Sequence, residues 1–402
     1  MDRRNAGISR RSLLIATGAS ITLSAVTRPA PTGRITRNVN AYTPGADQCA
    51  ERADLAERAI VQRHVRTLWG MRDARLGRLT WPSSLLDRSF VKWCYWWQAQ
   101  LLDCAVDAAH RGRDQDRVDR VAAVALGIRS RNLTGWTNRY YDDMAWLALA
   151  LERADRLLGI RFGTAAADLR TTLLDGWNPV VGAVPWRFGD DYYNAPSIGP
   201  TGIAMARTGE PARARQLADF LHTRLRDPDS GLILDGVREP GGQVDRTVLT
   251  YCQGVAIGLE TELATRTGES VHHERAVALV EATARRLTAA GVIAAGGADD
   301  SGLFMGILAR YLAEAALALG DRTAAGIVHA SARAAWDNRA EVNGLPLFGM
   351  DWSRPVTVPS RSNPLTQVTP FAVTDNLSRD LSVQLSGWML LEADYRLTAA
   401  GL

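Results

Sequence analysis

Lysine is all but missing from this chain: among its 47 basic residues in 402, only Lys92 is a lysine. No basic run follows the N-terminus, so the electrostatic footprint of a nucleic-acid binder is missing and nucleic acid is not an expected partner. The preference for arginine reads as genomic base composition. Residues 1–30 hold five Arg and one Asp, so the remainder carries 42 of the 47 bases and 42 of the 43 acids and is neutral. The basic pI of about 9.0 is therefore largely a property of the first 30 residues, and polyanions are not favoured partners.

Cysteine is scarce as well. Four are present, at 49, 94, 104 and 252. Cys94 and Cys104 lie ten residues apart on what reads as one helix, about 15 Å of rise, which is beyond the reach of a disulfide. Cys49 could bridge to one of them in an exported protein, and buried free thiols are the other reading. No spacing resembles a zinc site, so no metal and no cofactor are expected.

Charge is missing from Ser12 to Thr27. Ser9-Arg10-Arg11-Ser12-Leu13-Leu14-Ile15 places paired arginines before a moderately apolar stretch that ends near Val26. It is too short and too rich in Gly, Ser and Thr for a comfortable membrane span, and reads as a twin-arginine export signal over residues 1–30. A linker over 31–46 and one domain over 47–402 follow. The protein is expected outside the cell or in its envelope, without stable membrane insertion and as a monomer.

Convincing strand alternation is also missing. From Asp47 onward the pattern is helix after helix, near 47–69, 88–110, 116–131, 140–158, 164–176, 191–208, 210–226, 246–267, 269–290, 300–319, 321–338 and 379–399. Short connections, several carrying a glycine, alternate with long ones at 70–87, 132–139, 177–190, 227–245, 291–299 and 339–378, so the helices come in pairs. Arg207-Thr208-Gly209-Glu210 recurs as Arg266-Thr267-Gly268-Glu269, and Leu319-Gly320-Asp321 follows the same plan: Gly closes one helix and an acid opens the next. Six such hairpins make an all-α (α/α)6 toroid. Its inner helices are the more apolar members, Met144–Leu151, Val248–Leu263, Gly302–Leu319 and Leu381–Leu391, and its long loops share one rim.

On that rim lies Tyr140-Tyr141-Asp142-Asp143-Met144-Ala145-Trp146, two acids heading a helix apolar on nearly every side. Asp190-Asp191 and Asp299-Asp300 stand before two other inner helices, so helix capping is an alternative account of all three pairs. The loops also hold Trp81, Trp136, Trp177, Trp186 and Trp352, with Trp93, Trp96, Trp97, Tyr192, Tyr193 and Tyr251 near inner helices. Aromatic faces beside carboxylates and amides suit sugar rings. Helical spacing makes core packing the alternative for Trp93, Trp96 and Trp97.

The ordered set Tyr141-Asp142-Asp143-Met144-Ala145-Trp146, Gly182-Ala183-Val184-Pro185-Trp186, Asp229-Ser230-Gly231-Leu232-Ile233-Leu234-Asp235-Gly236 and Tyr251-Cys252-Gln253-Gly254 resembles glycoside hydrolase family 76, the endo-α-1,6-mannanases and their fungal wall-transglycosidase relatives. Tyr95-Trp96-Trp97-Gln98 and Phe304-Met305-Gly306-Ile307 are similar to further segments of that family, and the resemblance covers nearly all of the chain after residue 50. It implies an (α/α)6 barrel, a mannan-like glycan as partner and a retaining mechanism with Asp142 as nucleophile and Asp143 as general acid/base. It also places Tyr141, Trp97, Trp186, Asn194, Asp235, Tyr251 and Gln253 in contact with substrate. Adjacent residues at a helix start project roughly 100° apart, and retaining hydrolysis needs two carboxyls about 5 Å apart.

Three positions depart from the family pattern. Cys252 and Ile198 stand where Asn is expected, and Met305 where Lys is expected. The departures keep two alternatives in view: a weak or inactive glycan-binding envelope protein on the same fold, and a transglycosidase. An unsaturated-uronide hydrolase would need basic groups such as Arg139 and Arg187 in the cleft, and the tyrosine-flanked acid pair argues against it.

Overall fold

Each apolar helix here has one polar neighbour in sequence, and pairing the two buries the first under the second. The computed structural model describes residues 45–296, 299–358 and 380–402; the expected export signal and all but the end of the linker lie outside them. Twelve long helices follow one another: α1 (Ala46–Arg63), α2 (Tyr95–Arg111), α3 (Gln115–Arg131), α4 (Tyr141–Leu158), α5 (Ala165–Asp175), α6 (Ala195–Arg207), α7 (Pro211–Phe220), α8 (Thr250–Thr267), α9 (Ser270–Arg286), α10 (Phe304–Leu319), α11 (Arg322–Asn338) and α12 (Leu381–Ala399). Helices α2, α4, α6, α8, α10 and α12 pack side by side into a closed ring, α12 against α2, and each takes an outer partner. The last pair is α12 with α1, so the two ends of the domain close the toroid.

The inner helices are wrapped in apolar contacts. Residues Ser301–Leu319, spanning the end of a short 3-10 turn and α10, are long and apolar enough to cross a bilayer, yet 72% of that window is buried inside the ring. Close approach of the inner helices needs missing side chains. A Cβ at Gly258 of α8 would stand 2.3 Å from the Tyr311 ring of α10, and one at Gly306 of α10 would stand 2.7 Å from the Ser386 backbone of α12.

The short turns follow the repeat. Gly159, Gly268 and Gly320 close α4, α8 and α10 in the left-handed conformation, with φ of 72°, 70° and 71°. The acids that open the next helices divide: Asp321 caps α11 by accepting from Ala324 N at 2.9 Å, whereas Glu210 and Glu269 pair with Arg170 and Arg215.

Strands do exist, contrary to the reading of the sequence. Nine short ones form four small antiparallel sheets among the described residues: β1 (Val65–Thr67) with β2 (Arg75–Gly77); β3 (Tyr192–Asn194), β4 (Leu234–Arg238) and β5 (Gln243–Val248); β6 (Thr288–Ala289) with β7 (Val292–Ile293); and β8 (Ala340–Val342) with β9 (Leu345–Leu347). They lie in the long connections and shorten the helices expected there; α1, for example, stops at Arg63 instead of reaching 69. Three inner helices fasten those connections by one device. The fourth residue of α2, α8 and α12 is glutamine, and its amide pairs with both backbone groups of one loop residue: Gln98 with Gly77 (2.8 and 2.9 Å), Gln253 with Ile233 (2.8 and 2.8 Å) and Gln384 with Phe348 (3.2 and 2.9 Å). A primary amide has the donor and acceptor of a peptide group, so it satisfies a buried loop backbone as a strand would.

At the other rim the inner helices end in charge. Arg153 of α4 and Arg310 of α10 clamp Asp103 and Asp107 of α2, and Arg207 of α6 reaches Glu152, Glu262 and Glu314. Arg207 is the last residue of α6, where a cation answers the C-terminal dipole.

Candidate active site

The six long connections each lead into the N-terminus of an inner helix, so they gather on one rim, and α4 brings the acid pair there. Tyr140, the residue before α4, makes no side-chain cap, and Asp142 and Asp143 occupy the first turn. Both are buried.

Different neighbours hold the two carboxylates. Asp142 accepts from the Trp186 indole, Nε1 to Oδ2 at 3.1 Å, and from the backbone N–H of Asp143, to Oδ1 at 2.8 Å. Two N–H donors aimed at one carboxylate favour its ionised form. Asp143 accepts from Asn138 Nδ2 at 2.8 Å, and Asn138 is itself held because its Oδ1 accepts from Tyr140 N at 2.8 Å. Tyr95, whose hydroxyl donates to the Trp136 carbonyl at 2.5 Å, is raised well above the usual phenol range by burial and by the nearby Asp143 charge. It stays a neutral donor.

Trp186 is aimed by its backbone. Tyr141 N donates to the Trp186 carbonyl at 2.9 Å and Trp186 N to the Tyr192 carbonyl at 2.7 Å, which straps the loop over the start of α4. The Tyr140 ring meets the indole edge-on at 5.3 Å.

The strap continues into β3 and β4. Tyr192 donates its hydroxyl to Asp235 Oδ2, and the Cys252 thiol lies 3.8 Å from Asp235 Oδ1. Gly236 is required here, since a Cβ would come within 2.6 Å of the Tyr192 ring. Asn194 is buried; its Oδ1 accepts from Ser197 Oγ at 2.7 Å, and its Nδ2 has no hydrogen-bond partner among the described residues. Opposite α4, Tyr251 of α8 stacks on Phe304 of α10, with ring centroids 3.8 Å apart and planes within 4°, and Phe304 meets Trp96 of α2 at 6.3 Å. Trp97 stands edge-on to Trp96 at 6.4 Å. One aromatic arc therefore joins three inner helices.

Two of the expected substrate contacts already hold protein neighbours. Gln253 is fully buried with both ends of its amide on Ile233, so it fixes a loop. The Tyr141 ring packs on Gly176 after α5, so closely that a Cβ there would lie 2.3 Å away; it fills space between an inner and an outer helix. Asn138, Tyr95 and Phe304 are neighbours of the site that the expected set of substrate contacts did not include. The capping alternative fails for a second acid pair: Asp190 and Asp191 stand before β3 and pair with Arg187 and Arg238. The side chains of Asp299 and Asp300 lie outside the description. The four cysteines carry thiols and form no disulfide among the described residues, and among those residues no cluster of His, Cys, Asp and Glu could hold a metal ion.

The profile of the family described as Glycosyl hydrolase family 76 matches residues 53–379. Among solved structures, the GH76A α-1,6-mannanase of Salegentibacter sp. HEL1_6 is similar over 86% of this chain and 98% of its own, at 26% identity and a TM-score of 0.72. The Lin0763 protein of Listeria innocua is similar over 88% of this chain and 98% of its own, at 26% identity and a TM-score of 0.74. Dfg5 of Chaetomium thermophilum, at 12% identity, shares the fold over 89% of this chain and 92% of its own, with a TM-score of 0.70. No curated protein sequence matches the chain.

Proposed function

This chain belongs to glycosyl hydrolase family 76, and from that premise we propose that it cleaves α-1,6-linked mannan or a related mannose-containing envelope glycan with retention of configuration. Asp142 acts as nucleophile and Asp143 as general acid/base. The observation that carries this reading is the burial of two consecutive carboxyls in the first turn of α4, Asp142 accepting from the Trp186 indole and Asp143 from the Asn138 amide. Attack by Asp142 on the anomeric carbon forms a glycosyl-enzyme while Asp143 protonates the leaving oxygen. Asp143 then takes a proton from the water that releases the sugar. The ionised neighbour keeps the second carboxyl from losing its proton at the same time.

A relative supports the importance of such a pair: a variant of the Salegentibacter α-1,6-mannanase with two consecutive aspartates changed to asparagine is inactive and was solved with α-1,6-mannotriose, at 25% identity to this chain. The aromatic arc of Tyr251, Phe304 and Trp96 supplies faces for sugar C–H groups. The test is incubation of the protein with linear α-1,6-mannan beside mannans of other linkages, with products separated by chromatography. Cleavage confined to the α-1,6 polymer is expected. Binding without cleavage would favour the glycan-binding reading, to which Cys252, Ile198 and Met305 point.

A further inference from the structure

Six of the large hydrophobic side chains exposed on this protein crowd one side of the active-site rim: Trp69, Met71, Leu85, Leu86, Val91 and Leu133, with exposures of 56%, 44%, 80%, 45%, 63% and 93%. They come from two connections that are bound together. Trp69 Nε1 donates to the Ser89 carbonyl at 2.7 Å, Lys92 N to the Leu86 carbonyl at 3.3 Å, and Arg131 Nη2 to the Val91 carbonyl at 3.1 Å. The Arg131 guanidinium lies 5.6 Å from the Trp69 ring and 4.9 Å from that of Trp93. Leu133 follows two residues later, in the connection whose Asn138 holds Asp143.

Such a concentration is unusual on a soluble surface, and the backbone is constrained to present it. Trp69 and Phe90 both take positive φ, 47° and 54°, a conformation that a bulky residue keeps only where the surroundings enforce it. The leucines stand at the head of a single helical turn, Leu85–Arg88, whose start is fixed by a reciprocal Ser84–Asp87 cap. Of the six, Leu85 and Leu133 stand out furthest into solvent.

The charges around them have one sign. Arg72, Arg75, Arg88 and Lys92 are exposed, against Asp73 alone; Asp87 is buried in its cap. Protruding Leu and Val, an indole with its N–H already satisfied and a fringe of Arg and Lys form the composition that settles into the headgroup region of an anionic bilayer. Trp and Tyr favour that depth for the same reason.

We propose that this patch docks the protein peripherally on an anionic lipid surface, with the apolar tips in the headgroup region and the rim that carries Asp142 and Asp143 beside it. The proposal concerns lipid binding alone and stands independently of the glycan assigned above.

The test is co-sedimentation of the full chain with phosphatidylcholine vesicles, with and without phosphatidylglycerol, at low and high salt. Wild type and L85S/L86S/V91S share the same N-terminal segment, so their difference reports the patch. We expect binding that requires the anionic lipid, weakens with salt and drops about tenfold or more in the variant. As a second readout, acetylation of Lys92, the sole lysine, mapped by peptide mass, should slow on anionic vesicles in wild type and not in the variant. Equal sedimentation of the two proteins together with unprotected Lys92 would overturn the proposal. So would loss of a dimer, or of mannan binding, in the variant with lipid binding unchanged.

Discussion

Trp186 reaches back across the active-site rim to Asp142, its indole Nε1 donating to Oδ2 at 3.1 Å. The loop that carries it is held to the start of α4 by Tyr141 N, so donor and acceptor are positioned by the same piece of backbone. A hydrogen bond to a charged acceptor contributes about 1.5–3 kcal/mol. Trp186→Phe keeps most of the ring and removes the donor, and should lower kcat on α-1,6-mannan about ten- to hundredfold with an unchanged circular dichroism spectrum. Full activity in this variant would detach Trp186 from the chemistry.

Gln253 should behave differently. Replacing it with leucine leaves the Ile233 N–H and carbonyl without their amide partner, at about 1–3 kcal/mol for each buried group left unpaired. The melting temperature of Gln253→Leu should fall by several degrees while KM for mannan stays near wild type. A raised KM at unchanged stability would restore the substrate-contact role that the family pattern implies.

That contrast shows where the sequence was legible. Apolar faces, glycine stops and alternating connection lengths are local signals, so the twelve helices, their pairing and the inner ring could be read from Met144–Leu151 or Leu381–Leu391. The acid pair was legible because its motif is contiguous. Gln98, Gln253 and Gln384 share one job, but the pattern that unites them is the fourth position of three distant helices, and their partners Gly77, Ile233 and Phe348 share no chemistry because the contact is to backbone. The strands of two to six residues were too short to alternate visibly. Asn138 reaches the site only through folding, so no spacing in the chain marks it.

The buried charge cluster sets an acid limit. Burial alone would raise the Asp107 carboxyl, but Arg153 and Arg310 outweigh it and hold it well below the usual range. A carboxyl depressed in the folded state contributes stability above its unfolded value, near about pH 3.9, and that contribution is lost as pH falls from there through the folded value. Thermal unfolding should therefore show stability dropping steeply below about pH 4. Arg153→Met leaves Asp103 and Asp107 facing one arginine and should cost about 3–5 kcal/mol at neutral pH, with a shallower acid limb. An undiminished melting temperature would contradict this.

Export is a separate expectation, drawn from Arg10-Arg11 at the head of the N-terminal apolar run. Changing both to lysine should retain the protein inside the cell, as followed by fractionation and immunoblot. Secretion equal to wild type would point to another route.

The unequal roles of Asp142 and Asp143 are the centre of this account, and azide tests them most directly. With an α-mannoside that carries a good leaving group, Asp143→Asn should still form the glycosyl-enzyme, because that step no longer needs an acid. Added azide should then attack the intermediate in place of the base-activated water, restore turnover and yield α-mannosyl azide, while Asp142→Asn stays inactive with or without it. Formation of α-mannosyl azide by the Asp142 variant and not by the Asp143 variant, or activity in both variants without azide, would contradict the assignment.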